Sequence, residues 1–196
     1  MSAPSKINFK MYQGSTFSEV LRWESSKKIY KTITGVTQAA PCVVTATTHG
    51  VPDGWRVKVT NVGGMVELNS ADDYKVVTKL TADTIAFNDI NSVGYKAYTT
   101  GGILEYNEPV NLTSYTARMQ LRAKIDDVDP ITEFTTVNGK IQIDTTGYAI
   151  TILVSATDTA AFTFSTALYS LELVSGTSVV TQLATGTITL VKEITR

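Results

Sequence analysis

The clearest pattern in the chain is an alternation of apolar and polar residues between Thr116 and Ala123. Ala117, Met119 and Leu121 point to one side, and Arg118, Gln120 and Arg122 point to the other. This period of two predicts a strand in an antiparallel sheet that has one face in the core and one face in solvent.

Similar runs predict strands on both sides of this one. They are Ile7–Tyr12, Thr16–Trp23, Ile131–Val137, Lys140–Ile143, Ala149–Val154, Leu168–Val174, Val179–Leu183 and Gly186–Val191. Glu19 falls on the apolar side of the second run, which predicts a bulge or an edge strand there. Glu24–Lys28 is predicted to be a polar turn, and Asn138-Gly139 predicts a two-residue hairpin.

One segment between the predicted strands has helical character. Ser155–Phe162 is rich in alanine, and Ser155 followed by Asp158 resembles a capping box. About eight strands in hairpin-sized steps with one short helical crossing predict an immunoglobulin-like antiparallel β-sandwich.

The middle of the chain, residues 33–106, differs in composition. It is denser in Gly and Asp and contains five short strand-like runs separated by turn residues. The runs are Cys42–Ala46, Arg56–Val59, Tyr74–Thr78, Thr84–Phe87 and Gly102–Tyr106. This spacing predicts a small β-barrel-like domain inserted into the sandwich, which then comprises residues 1–32 and 107–196.

The composition of the 196 residues agrees with an all-β protein and limits its partners. Charged residues make up only 18% of the chain, and its net charge is -1. No overall field therefore draws it to nucleic acid or to an anionic membrane. Residues 1–14 lack an apolar signal core, and the single cysteine, Cys42, excludes an intrachain disulfide. We expect synthesis in a reducing cytoplasm.

Two segments that flank the insertion become continuous when it is skipped. GSTFSEVLRWES before it and NEPVNLTSYTARMQLR after it, followed by ITILVSATDTAAF and LYSLELVSG, resemble a family of small bacteriophage virion proteins. The resemblance is to the immunoglobulin-like N-terminal domain of phage baseplate upper proteins. It covers about 120 residues by position and contains no catalytic motif; Gly14-Ser15, Ser114 and Ser170 depart from its pattern.

The insertion has a resemblance of its own. Thr37–Pro41, His49-Gly50, Gly64–Asn69 and Tyr98-Thr99 before Gly101-Gly102 match the markers of a small β module of phage tail proteins. That module is described by its likeness to the first catalytic cysteine half-domain of ubiquitin-activating enzymes. Cys42 lies in an apolar run with no His, Lys or Arg near it in sequence, so we predict a buried, unreactive thiol.

Little in the sequence indicates catalysis or a metal site. His49 is the only histidine, and beside Gly50 it is interpreted as a turn residue with an unusual backbone conformation. The acidic loop of Asp126, Asp127 and Asp129 lacks the spacing of a calcium loop, which favours a solvated turn. We therefore predict no enzyme activity, no cofactor and no metal.

Two groups of residues are candidates for contacts with partners. Arg118 and Arg122, with Lys124, form a possible cationic stripe for an acidic neighbour in an assembly. Trp55, Tyr95 and Tyr98 are possible aromatic contacts for an interface or a glycan.

The two resemblances imply a structural component of a tailed bacteriophage particle. We expect it to be made in the host cytoplasm and to end in the virion. There it would dock in multiple copies at the connector, collar, tail or baseplate and help attach fibres. The alternatives are a capsid decoration protein and a carbohydrate-binding module for the host receptor, whose groove would carry Trp55.

Overall fold

The computed structural model describes residues 4–70 and 73–194, and these residues are nearly all in strands, turns and loops. The all-β prediction is confirmed. The strands in chain order are β1 (Ser5–Lys6), β2 (Phe9–Tyr12), β3 (Phe17–Leu21), β4 (Glu24–Thr32), β5 (Gly35–Val36), β6 (Cys42–Thr45), β7 (Arg56–Gly63), β8 (Lys75–Val76), β9 (Thr78–Lys79), β10 (Thr84–Phe87), β11 (Thr100–Pro109), β12 (Thr116–Arg122), β13 (Thr132–Thr135), β14 (Ile141–Asp144), β15 (Ala149–Val154), β16 (Thr166–Val174) and β17 (Val180–Val191). A 3-10 turn covers Val66–Leu68, and helix α1 covers Ala156–Ala161.

The chain divides into two compact units, which we call the sandwich and the barrel. The sandwich contains the chain up to Trp23 and from Asn111 onward, and the barrel contains Glu24–Val110. These boundaries lie outside the predicted limits of the insertion, residues 33 and 106. The difference arises because β4 pairs along its length with β11, from Thr32 opposite Ile103 to Glu24 opposite Pro109. The predicted polar turn at Glu24–Lys28 is therefore wrong.

The sandwich consists of two sheets whose apolar faces meet. The larger has the order β1-β17-β16-β12-β13, with β2 also pairing with β17, and the smaller has the order β14-β15-β3. In an immunoglobulin-like sandwich, β3, β15 and β14 occupy the positions of strands B, E and D, and β17, β16, β12 and β13 those of G, F, C and C′. The barrel is thus inserted in the B–C connection.

Strand alternation fills the sandwich core. Every second residue of β12, β15 and β16 is buried. The fully or nearly fully buried side chains include Met11, Phe17, Met119, Leu121, Phe134, Ile150, Ile152, Tyr169, Leu171 and Ile188. At the edge of the smaller sheet, β3 pairs only with β15 among the described strands, and Glu19 on it is exposed. The edge position predicted from Glu19 is confirmed.

The turn at Asn138-Gly139 does not close a hairpin. β13 before it pairs with β12, and β14 after it pairs with β15, so the chain passes from one sheet to the other. Asn138 Oδ1 accepts hydrogen bonds from the backbone N–H groups of Thr135, at 2.9 Å, and Lys140, at 3.1 Å. The hairpin prediction is wrong because this turn satisfies its backbone through the asparagine side chain and joins two sheets.

The predicted helix is present. Ser155 is its N-cap, and its Oγ accepts a hydrogen bond from the Asp158 backbone N–H at 3.1 Å. Asp158 also forms an ion pair with Lys140 at 2.8 Å. The Lys140 ammonium group, followed by the Ser155 hydroxyl, lowers the pKa of the Asp158 carboxyl.

The barrel consists of two four-stranded sheets, and two segments of the chain run from one sheet directly into the other. Their orders are β4-β11-β7-β8 and β5-β6-β10-β9. The chain runs from β4 into β5 through Ile33, whose N–H donates to Gly102 O at 2.9 Å, and Thr34, whose N–H donates to Thr45 O at 2.9 Å. It runs from β8 into β9 through Val77. Each edge strand of one sheet thus continues into an edge strand of the other, an arrangement that agrees with the predicted barrel-like domain.

Candidate functional site

The outer face of the larger sandwich sheet forms an open groove of about 830 Å³. Its floor consists of the solvent-facing residues of β12, β13, β16 and β17, and β1 lies along one side. The side chains that line it include Lys6, Arg118, Gln120, Arg122, Ile125, Glu133, Leu168, Ser170, Glu172 and Gln182. This groove contains two of the three cations that the sequence predicted for a partner contact.

Arg118 is paired within the sheet. Its Nε donates to Glu172 Oε2 at 2.8 Å, and the two residues are opposite each other on β12 and β16. The two side chains are 53% and 30% exposed, so the pair contributes at most about 1 kcal/mol to stability. Both groups remain accessible to a partner from the solvent side.

Arg122 holds the loop that follows its strand. Its Nη1 donates to the carbonyl oxygens of Asp127 and Val128, the latter at 2.9 Å, and its Nη2 donates to Gln120 Oε1 at 2.6 Å. The guanidinium group therefore fixes the β12–β13 connection. The sequence predicted only the direction in which Arg122 points.

Lys124 does not line the groove with the two arginines. It is exposed in the loop after β12, where its backbone N–H donates to Asp127 Oδ2 at 2.8 Å. The structure therefore does not bring Lys124 into the groove with the two arginines, and its role in a partner contact stays a prediction. Its place is taken by Lys6, which lies in the groove because β1 pairs in parallel with β17, opposite Thr185. That pairing spans nearly the whole chain, and no local pattern predicts it.

Positive and negative side chains alternate from strand to strand across the groove. The arginines stand on β12, and the strands on either side carry Glu133 and Glu172. Gln120 Nε2 donates to Glu133 Oε1 at 3.1 Å, so this hydrogen bond joins the side chains of β12 and β13. A purely acidic partner would meet both glutamates, and this mixed pattern fits a partner surface that also carries both signs.

Exposed aliphatic side chains border the arginines. Ile125 is 80% exposed in the β12–β13 loop, and Leu168 on β16 is 38% exposed. Apolar contacts beside hydrogen-bonding groups are what a protein–protein contact needs at its centre. No role was predicted for Leu168, because it falls outside the apolar phase of its strand.

The predicted aromatic contacts are largely structural. Trp55 is completely buried in the barrel, and its indole N–H donates to Asn107 O at 2.9 Å. It cannot stack on a sugar, so its proposed role in an exposed groove is wrong. Tyr98 is half-buried, and its hydroxyl donates to the carbonyl groups of Ile33, at 3.2 Å, and Gly101, at 3.0 Å. Tyr95 is also half-buried, and its backbone carbonyl accepts from Gln38 Nε2 at 2.7 Å.

A second polar cluster, which no local sequence pattern indicates, lies on the outside of the barrel. The Tyr74 ring has Lys28 Nζ at 4.5 Å and Lys58 Nζ at 5.5 Å from its centroid, and its hydroxyl donates to Glu105. The Tyr74 hydroxyl, followed by Lys28 and Lys58, lowers the pKa of Glu105. These side chains form hydrogen bonds and ion pairs with one another across β4, β7 and β11, and these contacts hold the strands together.

The remaining reactive residues are interior. Cys42 is buried, and burial raises the pKa of its thiol, which agrees with the predicted unreactive side chain. His49 is fully buried, and the unusual backbone predicted for it occurs instead at its neighbours Thr48 and Gly50, whose φ angles are 47° and 71°.

Within residues 4–70 and 73–194, no group of three or more His, Cys, Asp and Glu side chains is placed to hold a metal ion. In the same residues, no helix has the length and apolar character needed to cross a membrane. A scan of protein-family models found no match to the chain, and neither did a search of curated proteins.

Proposed function

We propose that the chain is a non-enzymatic structural component of a tailed bacteriophage particle. It docks at the connector, collar, tail or baseplate through the outer face of its sandwich, and the barrel is a second module that the docked sandwich carries. The charged side chains of Arg118, Glu133 and Glu172 provide the polar groups for this contact, and Leu168 beside them provides an apolar one.

The observation that carries the proposal is the common core of the two phage-like segments. Phe17 of the first segment pairs with Val154 in the later stretch ITILVSATDTAAF, and the rings of Trp23 in the first segment and Tyr115 in the second pack edge to face at 5.9 Å between centroids. The segments that resemble one virion-protein family therefore form one sandwich, and the barrel interrupts that sandwich only in sequence. This arrangement agrees with the interrupted sandwich that the resemblance to virion proteins implies.

Antibody labelling of particles tests the placement. Particles produced by the genome that encodes the chain are purified and imaged with a gold-labelled antibody raised against the chain. We expect label at the tail, connector or baseplate. Label spread over the capsid would instead support decoration of the head, and purified particles without label would contradict a virion role.

A matched pair of variants tests the docking face. Arg118→Glu places a like charge beside Glu172, and we expect it to reduce incorporation into particles at least tenfold. Lys192→Ala changes an exposed cation outside the groove and is expected to leave incorporation unchanged. Equal incorporation of both variants would contradict docking through this face.

A further inference from the structure

His49 is the only histidine of the chain, and it lies in the barrel interior with no solvent exposure. Its Nδ1 is 2.9 Å from the backbone N of Val51, and its Nε2 is 3.2 Å from Thr81 O. A backbone N–H can only donate, and a carbonyl can only accept. The two contacts therefore fix the neutral ring with its proton on Nε2.

The same residue joins three parts of the barrel. Its backbone N–H donates to Ala82 O at 3.2 Å, and its carbonyl accepts from the Tyr106 hydroxyl at 2.7 Å. With the ring contacts to Val51 and Thr81, this ties the loop after β6 to the β9–β10 turn and to β11. Two further bonds cross beside it, from the Ala46 N–H to Asp83 O at 2.8 Å and from the Thr48 N–H to Asp83 Oδ1 at 2.7 Å.

Protonation of the ring is incompatible with this geometry. A second proton would sit on Nδ1 and face the Val51 N–H, so two donors would oppose each other in a dry interior. The charged side chains that act on the ring are Lys79 and Asp83, which have opposite effects, and the Asp83 carboxylate already accepts from Thr48. Burial is the largest influence, and it lowers the pKa of His49.

We propose that His49 is an acid-sensitive latch of the barrel. When His49 binds a second proton, the loop after β6 separates from the β9–β10 turn, and the barrel opens while the sandwich remains folded. The sandwich has no histidine, so the response is confined to one unit. This proposal does not depend on the virion role.

The pH range follows from the direction of the shift. The unfolded histidine binds a proton near pH 6.5, and the folded one does so only at lower pH. The stabilising effect of the neutral ring is therefore complete above pH 6.5 and is lost as the pH falls below it. Between these two pKa values the opening constant should rise about tenfold per pH unit. Ordinary carboxyl groups titrate mainly below this range.

Hydrogen exchange of the full chain, followed by NMR between pH 7 and 4.5, tests the latch. After correction for intrinsic rates, we expect exchange at the Val51 and Val77 amides to accelerate about tenfold per pH unit between pH 6.5 and the lower pKa of the folded His49 ring. Exchange at Leu171 in the sandwich should stay constant. In His49→Asn, whose side-chain oxygen can still accept from Val51, the acceleration should disappear.

Two results would overturn the proposal. One is constant exchange at Val51 across the range in the natural chain. The other is an imidazole resonance that titrates near pH 6.5 while the barrel amides remain protected. The second measurement needs no variant, so it decides the question even if His49→Asn fails to fold.

Discussion

The sandwich and the barrel differ in how their interiors satisfy polar groups. The sandwich core is almost entirely apolar; within the described residues, its buried polar groups are the hydroxyl of Thr159 in α1 and the hydroxyl of Tyr169, which donates to Ile7 O. The barrel interior contains His49 and Ser92, and its buried Trp55 uses its N–H to bond backbone. Ser92 Oγ, for example, lies 2.7 Å from Thr37 O and 3.0 Å from Ala39 O.

The two units differ in where their buried residues lie relative to the strand ladders. In the sandwich, β16 and β17 contain 9 and 12 residues, and their ladders pair most of the backbone. In the barrel, β5, β8 and β9 contain two residues each, and the buried residues His49, Val51 and Ser92 lie outside the strands and their ladders. Buried backbone groups must be paired, and in the barrel side chains supply the missing partners. We expect the barrel to be sensitive to changes in single polar atoms, and the sandwich to changes in packing.

Removal of the barrel is the largest test of this separation. Deleting Glu24–Val110 and joining Trp23 to Asn111 with a short Gly/Ser linker should leave a sandwich that unfolds in one cooperative transition. The sandwich core contains no residue of the deleted segment. Far-ultraviolet circular dichroism during heating measures the unfolding transition of the shortened chain. A chain that lacks a cooperative transition would show that the two units share one folding core.

Alkaline pH should affect the sandwich through Tyr169. Burial raises the pKa of this phenol to about 12, above the ordinary value of 10. The neutral form is thus favoured by folding, and the stability it gives is present below pH 10 and is lost between pH 10 and 12. Two pH units correspond to roughly 2–3 kcal/mol in the free energy of unfolding.

Urea unfolding at pH 9 and pH 11.5 measures this loss. Tyr169→Phe should be less stable at pH 9, because its hydroxyl donates to Ile7 O at 2.8 Å. Its further loss at pH 11.5 should be smaller than that of the natural chain. The control is Tyr12→Phe at an exposed position, which should behave like the natural chain. An equal alkaline loss in all three would contradict the assignment to Tyr169.

Removal of one hydroxyl group tests whether side-chain hydrogen bonds to backbone stabilise the barrel. Tyr106→Phe removes the donor to His49 O and leaves that buried carbonyl without this bond, which should cost about 1–3 kcal/mol. Tyr30→Phe, at a residue that is 60% exposed, should cost less than about 0.5 kcal/mol. Urea unfolding at pH 7 compares them. Equal stabilities would mean that side-chain bonds to backbone are not what stabilises the barrel.

The sequence predicts the elements that depend on local pattern. Thr84–Phe87 and Ala149–Val154 have the predicted limits, and Ser155 caps the predicted helix. Alternation and capping are properties of neighbouring residues, so one short window of sequence contains the information.

The sequence does not predict features that depend on distant pairing. The polar strand β4 is stabilised by β11, which lies more than 70 residues away, and its own residues indicate only a turn. Trp55 follows a surface-type turn in the sequence, and it is buried because the Asn107 carbonyl supplies its acceptor. The groove has the same limitation, since Lys6 enters it through pairing with β17.

Among the proposed changes to structural contacts, substitution of Arg118 should have the smallest effect on stability, and its main effect should be on binding. Arg118→Ala breaks an exposed ion pair with Glu172 and should change the free energy of unfolding by less than about 1 kcal/mol. If the sandwich face docks onto a particle, the same substitution should still reduce incorporation, because the guanidinium group then meets a partner in a desolvated contact. Urea unfolding and particle incorporation are measured on one preparation, with Lys192→Ala as control. A loss of stability above 2 kcal/mol would show that Arg118 is a structural residue of the sandwich and would remove the main argument for its role in docking.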